Sequence, residues 1–300
     1  MLTSTTILKI LLVMVLWASC FPLITVGIAY SPHITFAALR AFIAGIPLIF
    51  IALYLGKSFP RRPREWLLIA LVGMGATTFG FLGMFHAGEY VSPGLATVIA
   101  NTQPLLAAVF GFLFLKEKVS LGGGIGLGLC FAGILIIAAD QLLPGNTEFG
   151  SGLIYLGLAA LGITVSNLTI RYMGDTVDLM MAMGLQMIIG GLPLLAVSLV
   201  MENGSDIQWD WPFVAVLLAL SLLGTSLVYC LWASVLRSVA LYQANSFSFL
   251  IPVMGLTAGA IFFEERLSFA QWLGVVVIVV GILVLASLNR NRFPKPQRLY

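Results

Sequence analysis

Ten apolar stretches, each close to the length that crosses a bilayer, dominate this chain of 300 residues. They cover roughly residues 7–28, 35–55, 66–86, 93–115, 121–139, 152–170, 180–200, 213–236, 242–263 and 269–288. A helix needs about 20 apolar residues to cross about 30 Å of hydrocarbon. In lipid every backbone N–H and C=O must be paired within its own segment or in a closed barrel. The runs are too long for barrel strands and do not alternate as such strands would. With 9% charged residues, against about 25% in soluble domains, the chain has too little polar surface for a soluble globule. The links are short and leave no room for an inserted soluble domain. The sequence therefore predicts an all-α integral membrane protein with ten transmembrane helices.

One pattern is written twice. Pro104, Gly111, Phe114, Glu117 and Ser120 recur, 148 residues later, as Pro252, Gly259, Phe262, Glu265 and Ser268. Gly133-Ile134-Leu135 recurs as Gly281-Ile282-Leu283, and Gly45-x-Pro47-Leu48 is matched by Gly191-x-Pro193-Leu194. The expected division is an N-terminal five-helix repeat over 1–144 and a C-terminal one over 145–300, acting as one transport unit. Five is odd, so equivalent helices would cross in opposite directions. Such inverted repeats are the architecture of alternating-access carriers.

The charges agree with this topology. If the N-terminus is cytoplasmic, all but Arg40 and Arg266 of the 15 Lys and Arg residues fall on the inner side. That distribution predicts a multi-pass protein with both termini cytoplasmic; the membrane expected for it is the bacterial inner (plasma) membrane. The net charge of +3 is thus a matter of topology and not of nucleic-acid binding. Cys20, Cys130 and Cys230 all lie inside spans and read as small apolar filler. No His/Cys/Asp cluster has metal-ligand spacing, no glycine run has the form of a phosphate loop, and no catalytic set is visible. No cofactor or metal is expected.

Ala38-Leu39-Arg40-Ala41-Phe42, Ala100-Asn101-Thr102-Gln103-Pro104-Leu105 and the paired Leu115-Lys116-Glu117 and Phe263-Glu264-Glu265 ends carry a family resemblance. Together with the duplication, they resemble the drug/metabolite transporter superfamily in its ten-helix EamA-type branch. The resemblance spans essentially the whole chain. It implies a carrier with a central cavity, not an enzyme, that exports small metabolites, foremost neutral or aromatic amino acids. Export of drugs or nucleoside-like metabolites is the alternative, and an intramembrane lipid-modifying enzyme is a remote one. The expected partners are a small-molecule substrate and the lipid bilayer, with protons as a candidate coupling ion. The chain would act as a monomer or weak oligomer.

Candidate site residues follow from polar groups that hydrocarbon would penalise unless they face a cavity or a partner. Pro104 and Pro252 sit near the middle of spans four and nine and leave the carbonyls of Ala100 and Ser248 without their usual donors, which suits a hinge. Thr97 and Asn101 share a helical face with Pro104, as Asn245 and Ser248 do with Pro252, and Gln103 and Gln243 add amides. The competing reading is interhelical glue. Trp17, Tyr90, Tyr229 and Trp232 are candidates to line an apolar or aromatic pocket. Arg40 is the one fixed charge well inside a span. It could contact a carboxylate or phosphate, pair with an acid such as Glu89, snorkel outward, or act as a structural clamp on helix-end carbonyls. Its repeat counterpart is the uncharged Gln186. His86 and Glu89 close span three as a titratable pair. Glu117 and Glu265 read as structural helix-end residues.

Overall fold

A computed structural model describes residues 4–91, 96, 99–100, 103–116, 119–139, 147–239, 241–262 and 266–288. Thr97, Asn101, Glu117 and Glu265 lie outside these residues. Every regular element among the described residues is helical. Six stretches are long and apolar enough to cross a bilayer: Ser4–Gly27, His33–Tyr54, Pro63–Ala87, Gly150–Met173, Leu179–Met201 and Trp211–Ser238. Shorter apolar helices run over Gln103–Leu115, Leu121–Ile137, Phe247–Phe262 and Phe269–Val284. Large apolar side chains such as Phe50, Tyr54, Leu199, Val200 and Phe269 point outward, as a protein solvated by lipid requires.

In chain order the α-helices are α1 (Ser4–Ala18), α2 (Cys20–Gly27), α3 (His33–Tyr54), α4 (Pro63–Val72), α5 (Gly80–Ala87), α6 (Gln103–Leu115) and α7 (Leu121–Ala138). They continue as α8 (Thr147–Met173), α9 (Leu179–Met201), α10 (Trp211–Leu218), α11 (Val228–Ser238), α12 (Leu241–Ser246), α13 (Leu250–Phe262) and α14 (Phe269–Leu288). Their starts follow capping chemistry. Asp178 accepts from the N–H groups of Met180 and Met181 ahead of α9, and Ser120 accepts from Gly123 N ahead of α7. Pro63 opens α4, and the Glu65 carboxylate accepts from Arg61 N and Arg62 N.

Two of the described spans carry a π-helical stretch. The stretches Gly73–Phe79, between α4 and α5, and Ala219–Leu227, between α10 and α11, are π-helical. A π turn widens the helix and frees carbonyls for other donors. In the second, Thr225 Oγ1 donates to Leu220 O at 2.7 Å and Ser226 Oγ to Ser221 O at 3.0 Å. A third interruption falls in span nine, where α12 ends at Ser246 and a 3-10 turn, Phe247–Phe249, leads into α13. Pro252 has no N–H to give the Ser248 carbonyl, so the expected regular face Asn245–Ser248–Pro252 is broken at that point.

The helices pack through small residues. α7 lies along α14, and α3 along α9. A Cβ on Gly133 would come within 2.7 Å of Gly274 O, and one on Gly75 within 2.4 Å of Gly162 O. Backbone this close excludes any side chain. Gly75→Ala must push α8 away from the first π segment. It is expected to lower the thermal midpoint in detergent by several degrees, a cost of about 1–3 kcal/mol. An unchanged midpoint would refute this packing account.

The ends of the bundle differ chemically. At one end Lys57 pairs with Asp178 at 3.5 Å, Arg237 with Asp175 at 3.5 Å, and Arg64 bonds Tyr172 OH. Arg171 donates there to Leu236 O at 2.9 Å. At the opposite end the Glu202 carboxylate accepts from Ile34 N at 2.9 Å and Thr35 N at 2.7 Å, tying the end of α9 to the start of α3.

Candidate functional site

Between these ends lies a buried network of amides and indoles. Asn245 Oδ1, on α12, accepts from Gln103 Nε2 on α6 at 2.8 Å and from Asn167 Nδ2 on α8 at 3.1 Å. Asn167 Oδ1 in turn accepts from the Trp232 indole N–H on α11 at 3.1 Å. Asn245 Nδ2 donates to Leu241 O, one turn back, at 2.8 Å, which sets the amide's orientation. Asn245 is fully buried, and Gln103, Asn167 and Trp232 nearly so. Trp17 on α1 packs edge-on to Trp232 at 5.1 Å and to Tyr229 at 6.3 Å. Five helices thus bring three amides and three aromatic rings together with no fixed charge in the network. Amides of this kind can bind polar groups by hydrogen bonds, and the rings can meet flat apolar groups.

Arg40, on α3, holds a second centre. It is 1% exposed, so it does not snorkel outward. Its Nε donates to Thr225 Oγ1 at 2.8 Å and its Nη2 to Gly224 O at 3.3 Å, both in the second π segment, and Nη2 lies 3.6 Å from Cys20 Sγ. The guanidinium sits 4.4 Å above the Phe81 ring and 5.7 Å from that of Phe85. The expected pairing with Glu89 is not among its contacts in the described residues, because the loosened carbonyl and hydroxyl of the π turn are nearer and equally buried. Its Nη1 has no hydrogen-bond partner among the described residues.

Gln186, on α9, repeats this arrangement. Its Oε1 accepts from Thr77 Oγ1 at 2.8 Å, in the first π segment, and its Nε2 has no hydrogen-bond partner among the described residues. Alongside, Thr78 Oγ1 donates to Gly190 O at 2.6 Å, and Ser226 Oγ to Ala44 O at 2.8 Å. Thr77 and Thr78 precede Thr225 and Ser226 by 148 positions, and Arg40 and Ala44 precede Gln186 and Gly190 by 146.

A third group closes the end opposite the basic residues. His86 Nδ1 lies 2.7 Å from His33 Nε2, and His33 Nδ1 lies 2.7 Å from Glu89 Oε1. The His86 ring also meets Tyr155 at 4.1 Å and Tyr90 at 5.3 Å. Tyr90 therefore stands apart from Trp17, Tyr229 and Trp232.

Of the residues singled out from the sequence, Trp17, Gln103, Tyr229, Trp232 and Asn245 meet in one network. Arg40 and His86 each anchor another group. Ser248 is buried in the 3-10 turn, and Gln243 lies on α12. Asn167, Thr225, Thr77, His33 and Glu202 were not anticipated. Asn167 carried a readable signal, an amide in the second half of span six, which hydrocarbon penalises unless it is paired. Thr77-Thr78 and Thr225-Ser226 carried another, as hydroxyl pairs at the repeat offset.

A helical bundle with lipid-facing flanks and a buried polar centre joined from many helices is a membrane carrier in form. The sequence profile of the EamA-like transporter family matches residues 4–139 and again residues 150–287. The chain belongs to that family. It is 32% identical over 294 residues to "Uncharacterized transporter YvbV" of Bacillus subtilis (strain 168), covering 96% of this chain and 93% of that one. It is 28% identical over 285 residues to "Probable amino-acid metabolite efflux pump" of Salmonella typhimurium (strain LT2), covering 91% and 92%. A solved crystal structure superimposes with a TM-score of 0.78 over 95% of this chain and 97% of the other at 19% identity, a likeness of fold. The protein is a membrane transporter and not an enzyme.

Proposed function

We propose that the protein is a secondary carrier that exports neutral or aromatic amino acids across the inner membrane by alternating access. The observation that carries this reading is the network in which Gln103 from the first half meets Asn167, Trp232 and Asn245 from the second. Amides suit the polar end of an amino acid and the Trp17–Trp232–Tyr229 rings suit a flat side chain. A contact shared by both halves is remade whenever they move against each other.

We read the chain as ten spans in two inverted five-helix repeats, 1–144 and 145–300, with both termini cytoplasmic. Three observations support this. The family profile matches twice in succession. Both π segments fall at equivalent places, and the Arg40–Thr225 and Thr77–Gln186 contacts exchange partners between the halves. The basic residues gather at one end, as the positive-inside rule asks of the cytoplasmic side.

The test is uptake of a labelled amino-acid panel into proteoliposomes. At least one neutral or aromatic amino acid should cross, and Asn245→Ala should lower its flux at least tenfold while the protein still elutes as a folded species. Absence of flux for the whole panel with folded protein, or full flux in Asn245→Ala, would overturn the assignment.

A further inference from the structure

The histidine group at the end opposite the basic residues contains more ligand chemistry than its hydrogen bonds use. His33 and His86 stand 53 positions apart in sequence, which is why no metal spacing is visible there. In space His33, His86 and Glu89 each offer a donor atom within 4.8 Å of the others. We propose that these three residues form a zinc-type divalent metal site, with Glu202 as the carboxylate that orients His33.

The geometry needs little adjustment. His33 Nε2 and His86 Nδ1 are 2.7 Å apart, and His86 Nδ1 is 3.7 Å from Glu89 Oε2. Two ligands at about 2.0–2.1 Å from a tetrahedral ion are about 3.3 Å apart, so these two separations need to change by only about 0.4–0.6 Å. Two imidazoles and a carboxylate suit Zn²⁺, whereas Mg²⁺ and Ca²⁺ prefer all-oxygen shells. The ligands are reachable, since their side chains are 14%, 21% and 38% exposed for His33, His86 and Glu89.

The outer support is already built. A metal-bound histidine usually donates its other N–H to a carboxylate. His33 Nδ1 faces Glu89 Oε1 at 2.7 Å and Glu202 Oε1 at 3.5 Å. Glu202 is itself held by Ile34 N, Thr35 N and Thr35 Oγ1. The neutral tautomers that fit these distances without metal have His86 Nδ1–H donating to His33 Nε2 and His33 Nδ1–H to Glu89. On binding, the His86 proton moves to its Nε2, Glu89 turns an oxygen to the ion, and Glu202 takes the His33 N–H. Both imidazoles stay neutral, and solvent fills the fourth position. The ion ties the start of α3 to the end of α5 and, through Glu202, to the end of α9.

The experiment uses the full-length protein in detergent, without a polyhistidine tag and stripped with a chelator. Equilibrium dialysis should find one Zn²⁺ per chain, and Zn²⁺ should raise the thermal midpoint where excess Mg²⁺ or Ca²⁺ does not. His33→Ala and His86→Ala should each weaken binding at least tenfold, and Glu202→Gln about tenfold. If a variant does not fold, the d–d absorption of Co²⁺ bound to the wild-type protein reports four-coordinate nitrogen and oxygen ligation. The site is refuted if folded wild-type protein takes up no stoichiometric Zn²⁺. It is also refuted if the His33→Ala/His86→Ala protein binds it equally well, which would leave only a Glu–His–His hydrogen-bond chain.

Discussion

Arg40→Gln is expected to leave the protein folded, with a thermal midpoint equal to or above that of the wild type, and to lower transport at least tenfold. A cation 1% exposed, with no ion pair among the described residues and with Nη1 unpartnered, is costly. Desolvation of such a charge costs several kcal/mol even after relaxation. Its position over the Phe81 ring returns about 0.5–2 kcal/mol, and the bonds to Thr225 and Gly224 return part of the rest. A structural clamp alone would not need the charge, because Gln186 meets Thr77 without one. Glutamine at position 40 can keep the Thr225 contact and shed the desolvation cost. The retained charge is therefore expected to serve transport, by meeting a substrate carboxylate or by setting the balance between the two faces. Proteoliposome flux and thermal midpoint, read on the same preparation, separate the outcomes. Wild-type flux in Arg40→Gln would make the residue a clamp, and a large loss of stability would show that the guanidinium holds the π segment.

Membrane character was legible because hydrocarbon imposes a length and an apolar composition that few other environments demand. The repeat was legible at Pro104 and Pro252 because proline marks the backbone irrespective of its surroundings. The π segments were not. They depend on where Thr225 and Ser226 send their hydroxyls, a choice among several carbonyls made only once α3 is packed alongside. For Arg40 the sequence left open a carboxylate or phosphate contact, a pair with Glu89, outward snorkelling and a clamp on backbone carbonyls; it could not say that the carbonyl it meets, Gly224 O, lies in a π segment of another helix. Trp17, Gln103, Trp232 and Asn245 stood out as polar or aromatic groups in spans. Their convergence needed the tertiary fold. The histidine group was half legible, as His86 with Glu89, because His33 joins it from another helix.

Asn167→Leu is expected to be among the most damaging single changes in the network, because this amide bonds to two of its members at once. The substitution keeps the side chain's branched shape but removes both the acceptor for Trp232 Nε1 and a donor to Asn245. A buried N–H left without a partner costs about 1–3 kcal/mol. The midpoint should fall by several degrees, and flux at least tenfold, since the freed Trp232 ring is no longer oriented. Trp232→Phe alone should also cost stability, because the ring loses bulk and Asn167 loses its donor. Added to Asn167→Leu, however, Trp232→Phe removes the orphaned N–H and should cost less than it does in the wild type, a coupling of about 1 kcal/mol or more. Strictly additive effects would mean that the indole and the amide act independently. In that case Trp232 would be core packing against Trp17, and the amides alone would carry recognition.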